Sequence, residues 1–267
     1  MITDNKKTKT LIILAGGKSS RMGTDKTFLE YNGRTFLQIL LDEANKHFGR
    51  VIIAGGNKEH ALKIYEYIKA SGMRASAQPE ILADKYDSIG PMGGLMSVFE
   101  QTRLKEFAVT AVDSPNASMQ ALACLLEKMQ AADAKYDEMH PMTAKGYEKP
   151  RLRLVQPDES LEDILEEERK HAEEKDPAVA VMLSLDGETR AEACAAAYSR
   201  RAYELMKRAQ ETGEYGLFKA LGADNIELVS ASELKMQHQE LKDVDLEKAF
   251  ANINCAEEYK KLMETHE

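Results

Sequence analysis

Apolar positions along this chain fall into two alternating patterns, short continuous runs and longer stretches in which they return every three or four residues. Thr10 to Ala15 (TLIILA) is a β-rich apolar run that ends in Gly16-Gly17, which predicts a buried strand passing directly into a loop. Phe36 to Phe48 (FLQILLDEANKHF) has helical spacing, and Val51 to Ala54 (VIIA) predicts the next strand before Gly55-Gly56. The alternation continues with a helix over Lys58 to Lys69, a glycine-rich turn at Gly90-Pro91, a helix from about Met92 to Thr102 and a strand at Phe107 to Val112. Strands separated by helices predict an α/β fold with a doubly wound, mostly parallel sheet.

The pattern breaks after a helix predicted to end near Ala132. Ala134 to Asp176 is polar and charge-rich, and reads as an insertion. Within it, Asp158 to Asp176 carries ten acids against three Lys or Arg, with Leu161, Ile164 and Leu165 on one helical side. The first reading of such a run is a solvated helix, and the second an acidic docking element for a protein partner. A strand at Ala178 to Leu185, a helix at Ser199 to Glu211, a strand at Ile226 to Val229 and a helix at Ala256 to Met263 complete the expected order. The expected organisation is residues 1–133 as a nucleotide-binding half, 134–176 as the charged, helical insertion, and 177–267 as an acceptor-side half of the same domain.

Charge narrows the partners. At a formal net charge of −9, the chain lacks the cationic surplus needed to bind nucleic acid or an anionic membrane surface, so a polyanionic ligand must meet a local basic site. The start of the chain leads into only a short apolar run, and no run approaches the length of a membrane span, so the expected location is the cytoplasm. Cys124, Cys194 and Cys255 are odd in number and form no CxxC pair, which predicts buried or half-buried thiols rather than a disulfide framework. The histidines show no HExxH-like ligand spacing.

Candidate chemistry concentrates in LAGGKSSRMGTDK, Leu14 to Lys26. Glycines let backbone N–H groups approach a triphosphate, while Lys18, Arg21 and Lys26 offset its charge. The loop is neither a Walker GxxxxGK[ST] loop nor a Rossmann GxGxxG. An ordinary strand-to-helix glycine turn with solvated cations is the plainer alternative. AspSerPro at Asp113 to Pro115 reads either as a helix N-cap and turn or as a strand-end carboxylate facing the loop.

LAGGKSSRMGTDK resembles the LAGGxSxRMGxDK signature of the molybdenum cofactor guanylyltransferases. Three further stretches are similar to that family in order: DKYDSIGPMGGL at Asp84 to Leu95, AVDSP at Ala111 to Pro115, and FANINCAEEY at Phe250 to Tyr259. The resemblance implies a Rossmann-like nucleotidyltransferase fold that uses Mg²⁺ to transfer GMP from GTP to the phosphate of molybdopterin, releasing pyrophosphate. It assigns Leu14, Ala15, Gly16 and Gly17 to the nucleotide loop, Arg21 and Lys26 to the phosphates, and Asp113 to the metal, with Lys18 a nucleotide-binding candidate by its charge alone. Asp84 would accept from the N1–H and 2-amino donors of guanine, with Glu80 and Asp87 close enough to compete. Gly90, Gly93 and Gly94 would let the backbone pass close to the nucleotide, and Asn252 and Asn254 would lie near the pterin-side acceptor. The sequence departs from the family pattern at Asn116, at Cys255-Ala256, and at Ala191 to Cys194, where a His-Pro pair is usual. The asparagine usual after the second strand is absent at Ala54, which leaves Asn57 as its substitute. Two alternatives stand beside this reading: a cytidylyltransferase of the same superfamily acting on molybdopterin or a sugar or alditol phosphate, and an inactive nucleotide- or partner-binding paralogue.

Overall fold

The computed structural model describes residues 8–16, 25–72, 78–86, 88–140, 175–185 and 191–264. The expectations for Gly17, Lys18, Arg21, Asp87 and the acidic run at 158–174 lie outside the described residues.

The sheet begins with β1 (Thr10–Leu14), every residue of which is buried. Successive side chains of a strand point to opposite faces. Leu11 and Ile13 therefore enter one core and Ile12 and Leu14 another, so both faces of the strand are covered. The chain then forms a two-stranded hairpin, β2 (Glu30–Tyr31) and β3 (Arg34–Thr35). Its turn is Asn32-Gly33, whose φ angles of 53° and 73° meet the left-handed requirement of a tight hairpin. Helix α1 (Phe36–His47) follows immediately, closed by a capping box in which Thr35 and Gln38 satisfy each other's backbone amides.

The remaining elements alternate as the apolar pattern requires: β4 (Arg50–Ala54), α2 (Lys58–Ala70), β5 (Glu80–Leu82), α3 (Gly90–Gln101), β6 (Glu106–Ala111) and α4 (Met119–Met139). Beyond residue 175 come β7 (Ala180–Ser184), β8 (Ala191–Ser199), α5 (Arg201–Glu211), α6 (Leu217–Leu221), β9 (Ile226–Ser230), α7 (Ala231–Gln237), α8 (Leu246–Ala249) and α9 (Ala256–Glu264). The seven-stranded sheet has the order β5-β4-β1-β6-β8-β7-β9. All neighbouring pairs are parallel except the two that β8 makes with β6 and β7. Residues of α1, α2, α4 and α7 join the core on one face, and residues of α3, α5 and α6 join the core on the other. This is the doubly wound, mostly parallel α/β architecture that the sequence predicts.

Two features correct the sequence reading. The helix expected to stop near Ala132 continues to Met139, because Asp133 is not a surface residue that breaks the apolar stripe. It is 2% exposed, its Oδ1 accepts from Ser199 Oγ at 2.7 Å and Arg201 Nε at 2.9 Å, and Arg201 also reaches the carbonyls of Pro177 and Ala178. This ion pair joins α4 to the end of β8 and the start of α5. The second feature is β8, for which the alanine-rich stretch AEACAAAYS gave no strand signal, alanine being the best helix former. Pairing on both edges and burial of Ala195, Ala196, Ala197 and Tyr198 override that preference. No described helix is long and apolar enough to cross a membrane.

Candidate active site

From β1 the chain leads to β4 and β5 on one side, then returns to place β6 on the other side of β1. A crevice opens beyond the carboxyl ends of the strands where the winding changes direction. Here it is a cleft of about 420 Å³ lined by Leu14, Ala15 and Gly16 from the end of β1, Asp25 to Thr27, Asp84, Gly90 and Gly94, Asp113, Ala191 to Cys194, and Asn252. Leu14, Ala15, Gly16, Lys26, Asp84, Gly94, Asp113 and Asn252, all singled out from the sequence, thus meet in one place. Asn254 joins them through Lys26.

Lys26 begins a short 3-10 turn, Lys26–Phe28, whose N-cap is Asp25. Its Nζ donates to Asp113 Oδ2 at 3.0 Å and to Asn254 Oδ1 at 2.9 Å, so residues 87 and 228 positions away converge on one ammonium group. Asp113 stands just beyond β6. It does not cap the following helix, since Ser118 does so by accepting from the Ala121 amide. The Asp113 carbonyl accepts from Ile253 N at 2.8 Å, and Ser114 Oγ donates to Asn252 Oδ1 at 2.7 Å. These bonds fix the closing segment against the end of β6. Glu258 then receives the backbone amides of Asn254 and Cys255 at the start of α9, and the first of these bonds holds its carboxyl below the usual carboxylate value.

Gly16 is in backbone contact with the turn after β4. A Cβ built on it would lie 2.8 Å from Gly56 Cα and 3.0 Å from Asp84 Oδ2, so no other residue fits without displacing that turn. Gly56 itself has φ 70° and requires the left-handed region. The backbone holds these loops in register: Ala15 N and Gly16 N donate to Ala54 O, Gly55 N to Leu82 O, and Asp84 N to Gly56 O at 2.6 Å. Asp84 is thereby set between Gly16 at the end of β1 and Gly94 in α3, because a Cβ on Gly94 would lie 3.8 Å from its Oδ1. Of its two expected competitors, Glu80 instead forms a bidentate pair with Arg50, at 2.6 and 2.8 Å. Asn57 is engaged as the N-cap of α2, accepting from His60 N.

Sequence reasoning passed over three contributors. Asp25 lies in the signature loop and His60 in the first turn of α2, yet His60 Nε2 stands 2.7 Å from Asp25 Oδ2 and Nδ1 stands 2.7 Å from Gly55 O. Burial alone would raise the Asp25 carboxyl, but hydrogen bonds from His60 and the Thr27 amide bring it below the usual value. The Asp25 bond raises His60 above the ordinary imidazole value, against burial and with help from the Gly55 carbonyl. The third contributor is β8, whose Ala191 to Cys194 wall the side of the cleft beside Asp113. Burial pushes the Cys194 thiol up to about 12, with Asp113 and Glu192 adding to it. Elsewhere, Cys124, His238 and Glu240 come within 4.8 Å of one another, a grouping invisible to spacing, and the Gln120 amide bridges Cys124 Sγ and Glu240.

In chemical terms the cleft offers glycine-lined backbone on one side, a cation paired with a hard carboxylate in the middle, and asparagines beyond. The carboxylate fits a Mg²⁺-class ion, which is commonly held by one or two carboxylates together with phosphate oxygens.

The family model described as the MobA-like NTP transferase domain matches residues 11–226. A molybdenum cofactor guanylyltransferase from Xanthomonas euvesicatoria pv. vesicatoria is 33% identical over 138 residues, covering 50% of this chain and 62% of that protein, so this chain spans less than two thirds of that relative. A probable molybdenum cofactor guanylyltransferase from Bacillus cereus is 27% identical over 165 residues, covering 60% of this chain and 74% of that protein. Among solved structures, molybdopterin-guanine dinucleotide biosynthesis protein A from Archaeoglobus fulgidus superposes with a TM-score of 0.63 at 17% identity, covering 96% of this chain and 97% of that one, a likeness of fold. The chain belongs to the MobA-like NTP transferase domain family, a family of nucleotidyltransferase enzymes.

Proposed function

We propose that this protein transfers GMP from GTP to the terminal phosphate of molybdopterin, releasing pyrophosphate. An oxygen of the acceptor phosphate attacks the α-phosphorus of GTP, the bond from that phosphorus to the β-phosphate bridging oxygen breaks, and the leaving pyrophosphate takes the electron pair. Both reactants are anions, so the reaction depends on neutralising charge at the point of attack. The observation that carries the reading is the convergence of Lys26, Asp113 and Asn254 at the winding reversal, directly beside the Gly16 loop. Lys26 binds phosphate oxygens and stabilises the leaving group. Asp113 would hold Mg²⁺, which supplies further neutralisation of the phosphate oxygens when bound. Gly17, Lys18 and Arg21 are proposed, from the signature alone, to complete the phosphate cradle.

Asp84 supports guanine as the base, because a carboxylate accepts from both the N1–H and the 2-amino group, and cytosine has no such donor pair. The cytidylyltransferase relatives more often carry alanine at the position of Gly16. In this protein a Cβ there would press on Asp84 Oδ2 as well as on Gly56. Asn252 and Asn254, with the β8 wall, are proposed to face the acceptor. Thermal stabilisation by GTP and by CTP, each with Mg²⁺, tests the base. GTP should raise the melting temperature more, and the difference should shrink in Asp84→Asn. Equal or greater stabilisation by CTP would favour the cytidylyltransferase reading.

A further inference from the structure

His60 occupies a position with an unusual proton requirement. Its Nδ1 faces the Gly55 carbonyl oxygen at 2.7 Å and its Nε2 faces Asp25 Oδ2 at 2.7 Å. A carbonyl oxygen only accepts, and an ionised carboxylate only accepts. A neutral imidazole has one N–H and one lone pair, so it would set that lone pair against an oxygen at one of the two contacts. Only the doubly protonated ring satisfies both.

We propose that His60 is a positioning residue for the nucleotide loop, acting as an imidazolium strut that ties the Asp25 cap of the Lys26 turn to the end of β4. The proposal deepens the nucleotide-binding reading above and rests on it for its effect on GTP. Asp25 is the connecting part. Its Oδ1 accepts from Thr27 N at 3.0 Å and thereby starts the turn that carries Lys26, while its Oδ2 is held by His60. The other end of the strut is the Gly55-Gly56 turn, which touches Gly16 and receives the Asp84 amide. One protonated ring therefore links the Lys26 turn, the Gly16 contact and the Asp84 segment. Loss of that proton has two consequences: one of the two bonds is broken, and a net negative charge is left in a cleft proposed to take a triphosphate.

Among the described residues, the charged groups that face His60 are few. From the Lys26 turn there is Asp25. From α2 itself there is Lys63, which opposes protonation and is paired with Glu59 at 2.9 Å. The β4–α2 turn contributes only Gly55, Gly56 and Asn57, and Phe28 places its ring edge-to-face with the imidazole at 6.2 Å. The balance favours the proton. The strut is thus complete at and below the ordinary imidazole range and is lost as pH rises through the elevated value of His60.

The test has a nucleotide-free arm and a nucleotide arm. Imidazole ¹⁵N shifts of the wild-type protein should show both His60 nitrogens protonated at about pH 7, and the Thr27 amide resonance should move with the same midpoint as the ring titrates. A neutral ring at that pH, or a Thr27 amide indifferent to its titration, overturns the proposal. In the second arm, GTP affinity is measured from about pH 6.5 to pH 9 for wild type and His60→Gln, the nucleotide's own titration being common to both. The wild-type dissociation constant should rise about fivefold or more beyond that of the variant, whose profile should be flatter. Parallel profiles would overturn the strut's effect on binding. Failure of wild type to bind GTP at any pH would instead refute the proposed function, while the resonance arm would still decide the state of His60 and its hold on the Lys26 turn.

Discussion

Gly16→Ala adds one methyl group at the point where the loop after β1 meets the turn after β4. The new Cβ would stand 2.8 Å from Gly56 Cα, 2.9 Å from Gly56 N and 3.0 Å from Asp84 Oδ2. Ordinary carbon contacts settle near 3.5 to 4.0 Å, so the backbones must separate by at least about half an ångström. Neither side yields easily. The loop is held by two amides donating to Ala54 O, and the turn by Gly55 N to Leu82 O and Asp84 N to Gly56 O. Overpacking of this kind costs about 1–3 kcal/mol, which should appear as a lower urea midpoint with an unchanged m value. Function should suffer alongside stability, since the displaced groups line the cleft. Misplacement by about 1 Å costs on the order of 10²-fold, so about half of that predicts roughly a tenfold loss in kcat/KM for pyrophosphate release. A variant with the wild-type urea midpoint and undiminished turnover would refute the claim that this backbone contact sets the geometry of the cleft.

Three further outcomes follow from single contacts. Lys26→Ala should lower turnover by more than about tenfold with the urea midpoint nearly unchanged, because the cation is proposed to act on phosphate rather than on the core; unaltered steady-state kinetics would remove that role. Asp113→Asn should reduce Mg²⁺-dependent turnover more than it weakens GTP binding, as an amide is a poor ligand for Mg²⁺, and full activity would move the metal site elsewhere. Arg201→Met should destabilise the fold by about 3–5 kcal/mol in urea, because it leaves the Asp133 carboxylate, which is 2% exposed, without its cation and with only the Ser199 hydroxyl, and a change within about 0.5 kcal/mol would contradict the assignment of that pair as the link between α4 and the start of α5.

That Gly16 and Lys26 would meet was legible in the sequence because Gly16 follows a strongly apolar strand and Lys26 sits inside a dense motif, whereas the residues alone left Asp113 between a helix cap and a strand-end carboxylate. Other features were hidden for identifiable physical reasons. β8 is built of alanines, and its strand state comes from being hydrogen-bonded between β6 and β7, which no local preference announces. The last turns of α4 were obscured by Asp133, an acid at a core position whose partner Arg201 lies 68 residues away. The His60–Asp25 pair spans 35 residues and is set by how the first turn of α2 meets the Lys26 turn, so neither residue advertised the other. Asp84 was legible only by resemblance. The structure adds a reason for its position, since Arg50 occupies Glu80 and the Gly56 carbonyl anchors the Asp84 amide.

The most direct test of the proposed nucleotidyl transfer is pyrophosphate release from GTP, measured with Mg²⁺ in the presence and absence of molybdopterin. Release should require both, should match the guanine dinucleotide formed mole for mole, and should fall to background in Asp113→Asn. Pyrophosphate release that is indifferent to molybdopterin, or a wild-type rate no higher than that of Asp113→Asn with all reactants present, would contradict it.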